Sequence, residues 1–129
     1  MANVAEHWTD QPDEQDYPAA ESYLSLLTPP ATAGALAKRL RKAELEHRKA
    51  KDLLRASRLP ILDPDNVHVA KDLEKVKKGT PLSPVLLVRG NLATDTALTV
   101  ADGYHRICAS HHLNEDADIP CRIVDTPSS

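Results

Sequence analysis

Apolar residues recur along the chain in two rhythms, one of three and four residues and one of short uninterrupted runs, and proline or glycine separates them. Tyr23, Leu24, Leu26 and Leu27 follow Pro18, with Asp16 placed to cap, and stop at Thr28-Pro29-Pro30. This pattern predicts a helix over about 17–27. From Ala31 onward Ala, Leu, Lys, Arg and Glu dominate, with Leu36, Leu40, Leu45, Leu53 and Leu54 as apolar markers. One long helix or two shorter ones should run to about Ser57. Leu59-Pro60-Ile61-Leu62 reads as extended, because a residue before proline is pushed out of the helical region. Asp63 to Asn66 then forms a turn with capping residues, and Val69, Leu73 and Val76 mark a helix over 67–78 that Gly79 ends. Val85-Leu86-Leu87-Val88, introduced by Pro84, suits a strand buried on both faces. A polar turn over 89–96, a β-prone stretch over 97–101, a helix over 104–113, a loop over 114–118 and a strand over 119–124 complete the pattern. On that last strand Ile119, Cys121 and Ile123 share one face.

This order describes a small α+β unit over 59–125, a mixed sheet with packed helices. Residues 1–58 form an N-terminal helical extension to it. Its first 15 residues read as loose, with Trp8 as a candidate anchor, and 126–129 form a tail. At 129 residues the chain has room for one compact domain. Aromatics are only 3%, with no Phe, so the core must come from Leu, Val, Ile and Ala. That scarcity argues against stacking platforms for single-stranded nucleic acid and against aromatic-lined carbohydrate grooves. A tyrosine inside a polar motif, Tyr104, becomes informative for the same reason.

The net charge of −3 exerts no general pull on nucleic acid or anionic membranes. Its distribution is uneven, however. Residues 1–30 carry six acidic side chains and no Lys or Arg, and residues 31–58 carry nine basic ones against Glu44, Glu46 and Asp52. The two segments are expected to pair with each other or to be solvated, and the basic one is also a candidate surface for DNA or a protein partner. No apolar stretch is long enough for a membrane span, and the acidic N-terminus is unlike a secretory leader, so a cytoplasmic protein is expected. Cys108 and Cys121 lack CxxC spacing and read as buried free thiols.

The chemistry concentrates at Asp102-Gly103-Tyr104-His105-Arg106, between a predicted strand and a predicted helix. Glycine there permits a tight turn and close approach of backbone to a ligand. The unpaired N–H groups and dipole of a helix N-terminus favour an anion. Arg106 offers a planar fork to phosphate oxygens, and His105 offers a hydrogen bond or a proton near neutral pH. Asp102 is a plain N-cap on one reading and a hydroxyl or metal partner on the other.

The stretch 59–125 resembles the ParB/sulfiredoxin superfamily. The likeness rests on Leu73-Glu74-Lys75-Val76-Lys77-Lys78-Gly79, Ser83-Pro84-Val85-Leu86-Leu87-Val88, the Gly-x-x-Arg box within Ala101-Asp102-Gly103-Tyr104-His105-Arg106-Ile107-Cys108-Ala109, and Ile119-Pro120-Cys121-Arg122-Ile123-Val124. The resemblance implies a nucleotide-phosphate cradle of Gly103, His105 and Arg106, with Asp102 and Tyr104 in the turn and Ser83 as a contact from the preceding loop. It implies CTP, ATP or ADP as ligand, with magnesium carried by the nucleotide and shared with Asp102, in a nucleotide hydrolase, a phosphotransferase or a non-enzymatic regulatory module. Tyr104 stands where sulfiredoxins keep their nucleophilic cysteine, which argues against sulfinic-acid reduction.

The remaining candidates are weaker. His47, Arg48 and Lys51, on a helix, would form a lid over the phosphates, and His68 would line the pocket. His105, Asp102, Glu46 and Asp65 are candidates for a catalytic base. His105, His111 and His112 with Glu115, Asp116 and Asp118 lack the spacing of a zinc site, so no metal held by protein ligands alone is expected.

Overall fold

A computed structural model describes residues 7–126. Five helices surround one four-stranded sheet: α1 (Asp16–Leu24), α2 (Pro30–Lys42), β1 (Glu46–Lys49), α3 (Ala50–Ser57), α4 (Val67–Lys77), β2 (Val85–Val88), β3 (Thr99–Asp102), α5 (Tyr104–Leu113) and β4 (Asp118–Val124). The strand order is β1-β4-β2-β3. β4 runs antiparallel to β1 and parallel to β2, and β2 is antiparallel to β3. The fold class is α+β, as the alternation of periods predicts.

Side-chain alternation on the strands assigns the helices to two layers. Val85 and Leu87 of β2, Val100 of β3, and Ile119 and Cys121 of β4 face α3, α4 and α5, meeting Leu53, Leu54, Val69, Ile107 and Cys108. Leu86 and Val88, with Ala101 and Val124, face α1 and α2 on the other side, meeting Tyr17, Ala20, Leu24, Leu36 and Leu40. All four residues of β2 are therefore buried. α2 has proline in its first turn and buries Ala33, Leu36, Ala37 and Leu40, a repeat of three and four that forms one stripe. Asn66 caps α4 by accepting the backbone N–H of His68 at 2.9 Å and of Val69 at 3.2 Å. Gly79 follows that helix with φ of 77°.

The structure corrects three expectations. Residues 46–49, read as helical, form strand β1, which pairs Glu46 with Cys121 and Lys49 with Asp118. Pairing with β4 overrides the helix propensity of Glu-His-Arg-Lys, and the segment 1–58 supplies an edge strand to the sheet of 59–125. Asp16 does not cap α1. Gln15 holds that position without a side-chain bond, and Asp16 is a buried residue of the first turn. The start of the chain is tied down from residue 7, because Trp8 bridges to Leu82 and the Leu82 N–H donates to the His7 carbonyl at 2.8 Å. Residues 1–6 of the expected loose segment and 127–129 of the tail lie outside the described residues.

The opposite charges of the first two segments meet at Arg41, which pairs with Glu14 at 2.6 Å and lies over the Tyr17 ring at 4.2 Å. Arg122, on the same side of the sheet, donates to the Arg41 carbonyl at 2.6 Å and the Leu40 carbonyl at 3.3 Å, closing the end of α2. Both cysteines are free and buried. Burial pushes the Cys108 thiol up and the Cys121 thiol up to about 12, so both stay protonated and neither is a nucleophile at neutral pH.

Candidate functional site

Asp102 ends β3, Gly103 turns the chain, and Tyr104 opens α5. A shift in the β2–β3 register between Leu86 and Leu87 brings Asp102 opposite Leu86. Gly103 occupies the left-handed region with φ of 111°, and a Cβ there would strike the Val85 side chain. Glycine is thus required twice at this point, by conformation and by space. The first intrahelical bond is that of the Ile107 N–H to the Gly103 carbonyl at 3.0 Å, so the amides of the preceding residues start the helix without intrahelical acceptors.

Arg106 stands one turn into α5 and is 14% exposed at its side chain. Nη2 donates to Oδ2 of Asp102 at 2.6 Å. Nη1 donates to Oγ of Ser83 and reaches Oδ2 of Asp16 at 3.5 Å. Ser83 in turn donates to the same Asp16 oxygen at 2.8 Å, and the Asp13 N–H donates to it at 3.2 Å. One guanidinium therefore holds together the end of β3, the loop before β2 and the start of α1. Two carboxylates against one arginine leave an excess negative charge at the floor. Burial raises the Asp102 carboxyl above its ordinary value, Arg106 opposes the shift, and Asp16 adds to it.

Above this floor lies a cavity of about 240 Å³ lined by the turn at Gly103, the loop at Ser83 and one face of α4. That face carries His68, Lys71, Asp72 and Lys75, spaced three and four apart. The His68 and His105 rings lie 4.7 Å apart between centroids. Burial, then His68, lowers the His105 value, so the ring is neutral at pH 7. Burial raises Asp72, and Lys75 opposes the shift.

Ser83, Asp102, Gly103, His105, Arg106 and His68 come together as predicted site residues. Four other readings are overturned. Asp102 is not the helix cap, since Gly103 holds that position and the Asp102 carboxylate binds Arg106. The Tyr104 side chain leaves the cavity and donates its hydroxyl to the Pro60 carbonyl at 2.5 Å, tying α5 to the 59–62 segment. His47, Arg48 and Lys51 are not on a lid helix. The first two lie on β1 and Lys51 is the second residue of α3, Arg48 bonds Glu46 at 2.7 Å, and Lys51 faces Asp116 at 3.4 Å. Glu46, on the same edge strand, and Asp65, in the loop before α4, are also outside the lining of the cavity. His112 is bonded to the Leu62 carbonyl at 2.6 Å, and His111 faces Glu115 at 4.0 Å. Among the described residues no three His, Cys, Asp or Glu side chains converge as a metal site.

Sequence reasoning missed Asp16, Lys71, Asp72 and Lys75. The polar stripe on α4 is visible in the spacing of 68, 71, 72 and 75 once Val69 and Val76 are assigned to the core. Asp16 reaches Arg106 across 90 positions, and nothing local announces it. Comparison of the chain with protein-family models, with curated proteins and with solved structures finds no match.

Proposed function

We propose that this protein binds a nucleotide or a similar phosphorylated ligand, with the phosphates in the cavity over Gly103 and Arg106. The observation that carries this reading is the convergence of a left-handed glycine, the start of a ten-residue helix, Arg106, Lys71 and Lys75 on one concavity. Its volume of about 240 Å³ is below the roughly 300–1,000 Å³ of sites that enclose a whole small molecule. A phosphate chain fits inside, and the nucleoside lies at the mouth. The Asp16 carboxylate stands beside Arg106 at 3.5 Å, so a phosphate must displace it or share the guanidinium with it. The ParB/sulfiredoxin resemblance of 59–125 points to the same turn and the same ligand class.

Magnesium carried by the nucleotide fits these residues poorly, because the Asp102 carboxylate expected to meet it is already paired with the Arg106 guanidinium, through Oδ2 at 2.6 Å. Binding in this reading rests on Arg106, the two lysines and the helix amides. Of the candidate bases, His105 alone combines a place at the cavity with a neutral imidazole, which is what proton abstraction from an attacking hydroxyl or water would need.

Thermal unfolding with CTP, ATP, ADP and GTP, with and without magnesium, tests the reading on the wild type and on Arg106→Ala. Ligand at about a hundred times its dissociation constant should stabilise the wild type by roughly 2.7 kcal/mol and leave the variant unmoved. No shift with any of the four nucleotides refutes it. Phosphate release then separates a hydrolase or phosphotransferase from a regulatory binding module.

A further inference from the structure

A second concavity lies at the opposite end of β2, between α3 and the loop that joins β2 to β3. Ser83 precedes β2 and belongs to the first cavity, and Arg89 follows β2 and belongs to the second. This groove measures about 570 Å³, more than twice the first, and within the range of sites that enclose a ligand or a side-chain anchor. Its floor is apolar, formed by Leu53, Leu98 and Ile123, which belong to or pack on the core between the sheet and α3. Its rim carries Arg48, Arg55, Arg58 and Arg89, and Asp52 is the one acid of the lining. Leu92, at the tip of the same loop, is fully exposed. Among the residues that line the groove itself, arginines outnumber acids four to one.

The arginines are already paired, each with an exposed carboxylate of this chain: Arg48 with Glu46 at 2.7 Å, Arg55 with Asp52 at 3.6 Å, Arg58 with Asp95 at 2.6 Å and Arg89 with Asp125 at 2.7 Å. Exposed pairs of this kind contribute only about 0–1 kcal/mol each. They are therefore exchangeable for carboxylates brought by another molecule. A partner that fills the groove needs an apolar side chain for the floor and carboxylates on both sides of it for the rim. Single-stranded nucleic acid meets the second need but not the first, because no aromatic ring lines the groove to stack a base.

We propose that this groove docks an acidic peptide segment of a partner protein, with a Leu, Ile, Val or Phe side chain seated on Leu53, Leu98 and Ile123 between Asp or Glu residues that engage the arginine rim. The inference is independent of ligand binding at Gly103, since no rim arginine touches that cavity.

The test is selection of a random twelve-residue peptide library, displayed on phage, against the full chain. Fluorescence anisotropy of a labelled peptide carrying the recovered consensus follows. An apolar residue flanked by acids should be enriched, and the labelled peptide should bind less tightly as salt rises. Its affinity should fall at least tenfold on Arg89→Glu and on Arg55→Glu. Arg55 is 82% exposed at its side chain, so its reversal leaves the fold intact. No enriched sequence, a consensus without acids, binding indifferent to both reversals, or tighter variant-sensitive binding of a labelled twelve-nucleotide oligo-dT would each overturn the proposal.

Discussion

Replacing Asp16 with Asn separates the two roles of the carboxylate that sits beside Arg106. Asn keeps the size and an acceptor oxygen for Ser83 and for the Asp13 amide, and removes the charge. The Arg106 to Asp16 contact is long at 3.5 Å, while the contact to Asp102 is 2.6 Å, so the guanidinium keeps its stronger partner. The expected loss of stability is about 1 kcal/mol, below the roughly 1.5–3 kcal/mol of a well-formed bond to a charged group. For a chain of this length that lowers Tm by about 3–5 °C. Ligand binding should move the other way. A unit negative charge about 5 Å from a bound phosphate, in a partly solvated cavity with an effective dielectric near 40, opposes each phosphate charge by about 1–2 kcal/mol. Asp16→Asn should therefore bind inorganic phosphate or a nucleotide roughly 5–30-fold more tightly, as measured by titration calorimetry on wild type, variant and Arg106→Ala. Weakened binding in Asp16→Asn would mean that the carboxylate holds the ligand, and equal binding would mean that the phosphate lies away from Asp16 and the guanidinium beside it. Either result refutes the displacement argument.

Gly103→Ala should cost about 2–4 kcal/mol, seen as a lower denaturation midpoint, because a positive φ and a collision with Val85 act together. Tyr104→Phe should lose about 1 kcal/mol through its bond to Pro60 and leave ligand affinity unchanged, and a large loss of affinity would return Tyr104 to the site. Asp72→Asn should stabilise the protein by less than about 1 kcal/mol at pH 7. Burial raises the Asp72 carboxyl in the folded state, so the folded form holds its proton longer than the unfolded one. The native aspartate thus loses stability as pH rises from the unfolded value of about 3.8 through its folded value, and the asparagine variant lacks that loss. Melting curves from pH 3 to pH 7 should diverge upward in favour of the variant.

The elements that sequence periodicity located are those whose own residues spell out how they are buried. α4 shows a stripe at Val69 and Val76, and β2 shows the continuous apolar run of a strand covered on both sides. β1 escaped because Glu46-His47-Arg48-Lys49 carries no alternation at all. Its strand state comes from hydrogen bonding to β4, 69 to 75 positions away. The site divides in the same way. Asp102, Gly103, His105 and Arg106 stand together in the chain, and their turn chemistry was legible. Asp16 joins them only through tertiary packing, and the cavity face of α4 became visible only when its buried face was known.

The position of β4 governs the order in which this molecule is completed. β1 and β2 are made first and do not pair with each other, because the last strand of the chain must slide between them. Until residues 118–124 emerge, β2 presents Val-Leu-Leu-Val with one edge open, a run of the kind that recruits other chains. β1 faces the same wait with four polar residues, three of them Glu, Arg or Lys, which guard its edge. Nascent chains halted before β4 should therefore aggregate through β2, and conditions that delay the final strand, rather than those that loosen the helices, should limit the yield of soluble protein.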